Sequence, residues 1–155
     1  MVAEDVRRVG RGRAAVRPAQ PAELGADAVL LLVRSHTRES LQACYGLARD
    51  LSMDVLVEVH GDDELDSALE LEDAIVGVNH RDLSTLKLDP ERALTLRERI
   101  PNDRVAVAES GIGSRADLER LVSGGYQSYL IGGHLASSPD PERALRELLG
   151  DSVDD

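Results

Sequence analysis

Ala108-Glu109-Ser110-Gly111-Ile112-Gly113-Ser114 and Leu130-Ile131-Gly132-Gly133-His134 each close a short apolar run and open a polar segment that starts a helix. Glycines let a backbone approach an oxyanion with no Cβ in the way, and the N–H groups and positive dipole end of a following helix supply the attraction. Two such turns at successive strand ends are what the last two strands of a (β/α)8 barrel carry. The stretches predict a phosphate cradle on a parallel α/β fold.

Outward from these turns, β-branched runs alternate with segments of helical period from residue 27 onward. Strands are expected at 28–33, 55–59, 75–78, 105–108 and 128–131. They are apolar on both faces, the pattern of parallel strands covered by helices. Asp89-Pro90 and Asp140-Pro141 place an acid at the N-cap and a proline at the first helical position. Ser114 and Asp117 have capping-box spacing. Leu118, Leu121 and Val122 form one expected helix face, and Leu145, Leu148 and Leu149 another. The expected fold class is α/β: parallel βα repeats of a TIM (β/α)8 barrel, incomplete, with about five βα units. A full barrel takes about 250 residues, and the chain has 155. Residues 1–23 read as an irregular N-terminal arm, 24–150 as the partial barrel domain and 151–155 as an acidic tail.

The formal charge of −11, from 29 acidic against 18 basic residues, argues against nucleic acid or an anionic membrane as partner, because the summed field repels polyanions. With three tyrosines and no Phe or Trp, the chain has few platforms on which bases could stack. Cys44 is the only cysteine, which excludes an internal disulfide. Its helical spacing with Leu41, Leu47, Ala48 and Leu51 predicts a buried thiol. No apolar run reaches the roughly 18 residues of a membrane span, and residues 1–17 lack the apolar core of a secretory signal. The expected compartment is the cytoplasm. His36 and His60 share no metal-ligand spacing with other residues, so neither a metal nor a cofactor is expected.

Glu58 ends a strand of apolar neighbours, a setting that suits proton transfer; the alternative is a carboxylate paired with an arginine such as Arg81. Asn79 and Arg81 end the next strand, where an amide and a guanidinium suit a substrate with hydroxyl and carboxylate groups. For Arg81 the alternative is a surface pair with Asp82. His134 is expected at the surface, the alternative being a cation that meets a phosphate.

From Leu24 to about Leu149, the order of motifs resembles indole-3-glycerol phosphate synthase, the barrel enzyme that closes the indole ring in tryptophan biosynthesis. The resembling pieces are Gly25-Ala26-Asp27-Ala28-Val29-Leu30-Leu31-Leu32-Val33, Leu56-Val57-Glu58-Val59-His60, Gly77-Val78-Asn79-His80-Arg81-Asp82-Leu83, Glu109-Ser110-Gly111-Ile112 and Leu130-Ile131-Gly132. They match strands four to eight of that barrel. The resemblance implies carbon–carbon lyase chemistry, ring closure with decarboxylation of a carboxyphenylamino-deoxyribulose phosphate. It implies Glu58 and Asn79 as catalytic residues, with Glu58 the general base. Arg81 and Ser110 would bind substrate, and Gly111, Leu130, Gly132 and Gly133 the phosphate. His80 and His134 depart from the residues usual at their positions.

The family's acid is a lysine on strand three, assisted by a glutamate and a lysine on strand one. The only lysine here, Lys87, matches no catalytic position. The expected partner is a phosphorylated small molecule. Three alternatives stay open: a part complemented by an N-terminal barrel fragment, a non-catalytic phospho-ligand module pairing as a homodimer, and the product of a truncated gene.

Overall fold

The computed structural model describes residues 2–3, 25–81 and 89–151. They fall into two compact units, Met1–Val76 and Gly77–Asp155. Most of the N-terminal arm, Asp82, Lys87 and the tail beyond Asp151 lie outside the described residues.

In the first unit β1 (Val2–Ala3) runs parallel to β2 (Ala28–Leu32), with Val2 opposite Ala28. β2 in turn runs parallel to β3 (Asp54–Val59), with Leu32 opposite Glu58. Val33, expected to end the strand, instead begins a one-turn 3-10 helix, Val33–Ser35, closed by His36 N–H donating to its carbonyl at 3.0 Å. α1 (Arg38–Asp50) and α2 (Asp62–Leu69) follow β2 and β3. Val55 to Val59 are all buried, as a parallel strand covered on both faces requires. Around them Leu41, Ala48, Met53, Leu65 and Ala68 complete the core.

α1 corrects one expectation. It buries Leu41 and Ala48, seven residues apart on one stripe, but leaves Cys44 half-buried and Leu47 41 % exposed. Leu47 precedes Ala48 by one residue and so lies about 100° around the helix from that narrow stripe; the apolar spacing overstated the buried face.

β4 (Ile75–Asn79) carries the chain into the second unit, which continues with α3 (Pro90–Arg99), β5 (Ala106–Glu109), α4 (Arg115–Ser123), β6 (Ser128–Leu130), α5 (Gly133–Ser137) and α6 (Pro141–Leu149). β5 and β6 are parallel, with Glu109 opposite Leu130. The three expected caps form. Asp89 Oδ1 accepts from Arg92 N–H at 3.2 Å, Asp140 Oδ1 from Arg143 N–H at 3.0 Å and Ser114 Oγ from Asp117 N–H at 3.2 Å. Each satisfies an N–H that the first helical turn leaves without an intrahelical partner.

Tyr126 anchors this core: its ring is 2 % exposed and its hydroxyl donates to the Ala93 carbonyl at 2.7 Å. The apolar faces of α4 and α6 are again narrower than expected. α4 buries Leu118 and Leu121 but leaves Val122 exposed, and α6 buries Ala144 and Leu148 but leaves Leu145 and Leu149 exposed. The exposed leucines follow the buried pair by one residue, hence by about 100° around the helix. Strand followed by helix five times over, from β2 to α6, gives five consecutive βα units of the (β/α)8 type.

Candidate functional site

In the second unit β5 ends at Glu109, and the chain then takes two left-handed residues in succession, Ser110 at φ +69° and Gly111 at φ +67°. Glycine adopts this geometry freely, whereas a serine held there costs on the order of 1 kcal/mol. The turn delivers Gly113 N–H to Asp117 Oδ2 at 3.1 Å, and Ser114 Oγ donates to the same oxygen at 2.7 Å. Asp117 is thus tied into the start of α4. Partial burial opposes its charge, but the Ser114 hydroxyl and the N–H groups of Gly113 and Ser114 prevail and hold its carboxyl below the usual range.

A cavity of about 370 Å³ opens over this turn, lined by Arg81, Ser110 to Gly113 and Leu130 to His134. No lining residue is acidic, although the chain carries an excess of eleven negative charges. Its side-chain polar groups are a guanidinium, a hydroxyl and an imidazole. The rest of its polarity is backbone, a composition that favours an anion. A Cβ built on Gly132 or Gly133 meets nothing within 4 Å, so the fold's own packing demands glycine at neither position.

Six of the residues singled out in the sequence therefore meet in one place: Arg81, Ser110, Gly111, Leu130, Gly132 and Gly133. Asn79 is not part of the cavity wall. Its Oδ1 accepts from Arg81 N–H at 3.1 Å, a local turn that fixes the strand end from which Arg81 departs. His134 is half-buried and also lines the cavity, because α5 begins at Gly133 and turns its first residues toward the Gly113 loop.

His80 lies between Asn79 and Arg81 and is 3 % exposed. Strand alternation sends it away from its neighbours, into a small cavity beside Gly111, Ile112, Asp117 and Arg120. Burial lowers its pKa, Arg81 lowers it further, and Asp89 and Asp117 pull it up. Its Nδ1 has no hydrogen-bond partner among the described residues. Glu109, at the end of β5 immediately before the glycine-rich turn, is a carboxylate only 3 % exposed.

The first unit holds Glu58, 8 % exposed at the C-terminal end of β3. Its neighbour is a histidine: His60 Nε2 lies 3.2 Å from Glu58 Oε1. On the other side of the ring, His60 Nδ1 is 3.3 Å from Glu64 Oε2, which also accepts the His60 backbone N–H at 2.8 Å. Arg34 pairs with the second oxygen of Glu64 at 3.2 Å. Glu64 stands in the acidic first turn of α2, beside Asp62 and Asp63, where the helix dipole favours negative charge. In sequence His60 shares no metal-ligand spacing with other residues, and its carboxylate neighbours emerge only in the fold. Among the described residues no group of three or more His, Cys, Asp or Glu is disposed to hold a metal. No helix among them is long and apolar enough to cross a membrane.

Comparison with known proteins adds a family. A sequence profile described as indole-3-glycerol phosphate synthase matches residues 16–148. The indole-3-glycerol phosphate synthase of Syntrophobacter fumaroxidans is 44 % identical over 131 residues, covering 84 % of this chain and 49 % of that protein. The one from Koribacter versatilis is 43 % identical over 136 residues, covering 86 % and 52 %. The chain spans about half the length of these curated relatives. Among solved structures, thiamine phosphate pyrophosphorylase from Pyrococcus furiosus superposes with a TM-score of 0.68 at 16 % identity, covering 86 % of this chain and 63 % of that one. A structure titled native KDPGal gives 0.61 at 18 % identity, covering 86 % and 61 %. At those identities the likeness speaks for the fold alone.

Proposed function

Since the chain belongs to the indole-3-glycerol phosphate synthase family, we propose that it supplies that enzyme's phosphate grip and one of its proton-transfer groups. The second unit takes the phosphate of a phosphorylated carboxyphenylamino-deoxyribulose in the cavity over the Ser110-Gly111 turn. The backbone N–H groups of Gly111, Gly132 and Gly133 and the charge of Arg81 hold it, while Ser110 and Leu130 position the substrate. In the first unit Glu58 is the general base. Asn79 contributes to catalysis by setting where Arg81 leaves its strand. The reaction proposed is ring closure with decarboxylation, a step of tryptophan biosynthesis, with the acid supplied by a complementing N-terminal barrel segment.

The observation that carries this reading is the convergence of six family-matched residues on one cavity with no carboxylate in its wall. A phospho-ligand module without ring closure is the second reading, favoured by the single lysine of the chain. One experiment separates them. The chain is mixed with the N-terminal half of the Syntrophobacter fumaroxidans relative, and indole-3-glycerol phosphate formation is followed by fluorescence. Product that appears only in the mixture, and is lost with Glu58→Gln, supports the lyase. Phosphate binding without product, while the full-length relative is active, supports the module.

A further inference from the structure

Gly111 and Ile112 face two cavities. One is the cavity of about 370 Å³ over the turn; the other, of about 20 Å³, they share with His80, Asp117 and Arg120. A buried water needs roughly 10–15 Å³ and two to four polar partners, so the smaller cavity has room for one molecule. An imidazole, a carboxylate and a guanidinium belong to its wall.

His80 is 3 % exposed, and its Nδ1 has no hydrogen-bond partner among the described residues. Native folds rarely leave a buried nitrogen in that condition, and an ordered water is a common remedy. The backbone that carries the ring is fixed, since the His80 carbonyl accepts from Asp89 N–H at 3.0 Å. Burial first and Arg81 second lower the pKa of the ring, against the pull of Asp89 and Asp117, so the ring is neutral at neutral pH. Its Nδ1 then either donates or accepts, and a water answers both.

The turn between the cavities also needs support. Ser110 at φ +69° and Gly111 at φ +67° follow one another, and a serine keeps such a backbone only where its surroundings over-determine it. Asp117 ties down the far end, accepting from Gly113 N–H at 3.1 Å and from Ser114 Oγ at 2.7 Å. The near end, Gly111 and Ile112, backs onto the cavity of His80.

We infer that the small cavity is a water site: His80 Nδ1 holds one buried water there against Asp117, and the pair braces the Gly111–Ile112 turn from behind in the shape that the phosphate meets. His80 is thus a positioning residue, which touches the turn and not the anion. The inference rests on the larger cavity as the phosphate site, but the water itself is measured without phosphate.

The ligand-free intact chain is read by NMR for Overhauser effects from a long-lived water to the His80 ring and to the Gly111 and Ile112 amides, then titrated with inorganic phosphate by calorimetry. His80→Asn keeps a polar atom near the place of Nδ1, whereas His80→Leu offers none. The water is expected in the parent and in His80→Asn but not in His80→Leu, and only the leucine variant should displace the Gly111 and Ile112 amide shifts. His80→Leu should bind inorganic phosphate at least about fivefold more weakly than the parent, and His80→Asn within about twofold of it. Stability is measured separately in urea, because a merely structural role would lower stability and leave the affinity of the folded protein alone. The water in the parent is read without any variant, so the inference stays falsifiable if His80→Leu does not fold. A parent with no long-lived water at His80 overturns it, as does a folded His80→Leu that keeps the parent's turn shifts and phosphate affinity. A parent that holds the water yet binds no phosphate refutes the cradle instead and upholds the water site.

Discussion

Gly132→Ala separates a glycine kept for the fold from one kept for a ligand. Gly132 sits at φ −111° and ψ −60°, a backbone any L residue adopts, and a Cβ there meets nothing within 4 Å. Alanine should leave stability unchanged, or raise it by about 0.4–1 kcal/mol through the less flexible unfolded chain. Gly132 nevertheless lines the cavity, where a phosphate oxygen is expected to approach the backbone. Pushing the oxygen away from one N–H forfeits a charge-assisted hydrogen bond worth about 1.5–3 kcal/mol, or roughly 10- to 100-fold in Kd. The contrast is Gly25→Ala in the first unit. Gly25 holds φ +77°, so alanine there should cost about 1–2 kcal/mol and leave the affinity alone. Urea denaturation reads the stability and calorimetric titration with inorganic phosphate the affinity. A Gly132→Ala protein that binds like the parent, or that loses more than about 1 kcal/mol of stability, refutes the reasoning.

Other substitutions test the scaffold and its titration. Tyr126→Phe leaves the Ala93 carbonyl without its buried donor and should destabilise by about 1–2 kcal/mol in urea, with phosphate affinity unchanged. Ser114→Ala removes the α4 cap and the hydroxyl that donates to Asp117, so it should cost about 1 kcal/mol and also weaken phosphate binding by loosening the Gly113 turn. His60 and His80 both have lowered pKa values in the fold, so the unfolded chain binds more protons below the ordinary value of 6.5. Stability should be full above about pH 6.5 and fall as the pH drops through the lowered values, with a shallower fall in His80→Asn. Thermal melts between pH 7.5 and about 4.5 measure this.

The strands and caps were legible because each depends on local chemistry. β-branched runs gave all five main strands to within one or two residues, and Asp89, Ser114 and Asp140 cap the helices they precede. The helix faces were less legible. Leu145, Leu149, Val122 and Leu47 satisfy the apolar period, but which part of a broad face is buried depends on the partner surface. In the candidate site, residues contributing backbone were found through their glycines. Side chains that act on one another were not: the His60 contact with Glu58 joins residues on one strand end, and its clamp by Glu64 depends on how α2 starts. The Asn79 Oδ1 contact with the Arg81 N–H two residues on is a local turn that no motif spacing announces.

The claim that the two glycine-rich turns form one phosphate cradle is tested most directly by titrating the 15N-labelled chain with inorganic phosphate. Saturable amide shifts centred on Gly111, Gly113, Gly132 and Gly133, competed by the phosphorylated substrate, are the predicted result. Shifts absent at millimolar phosphate, or scattered over surface arginines away from the cavity, would contradict it.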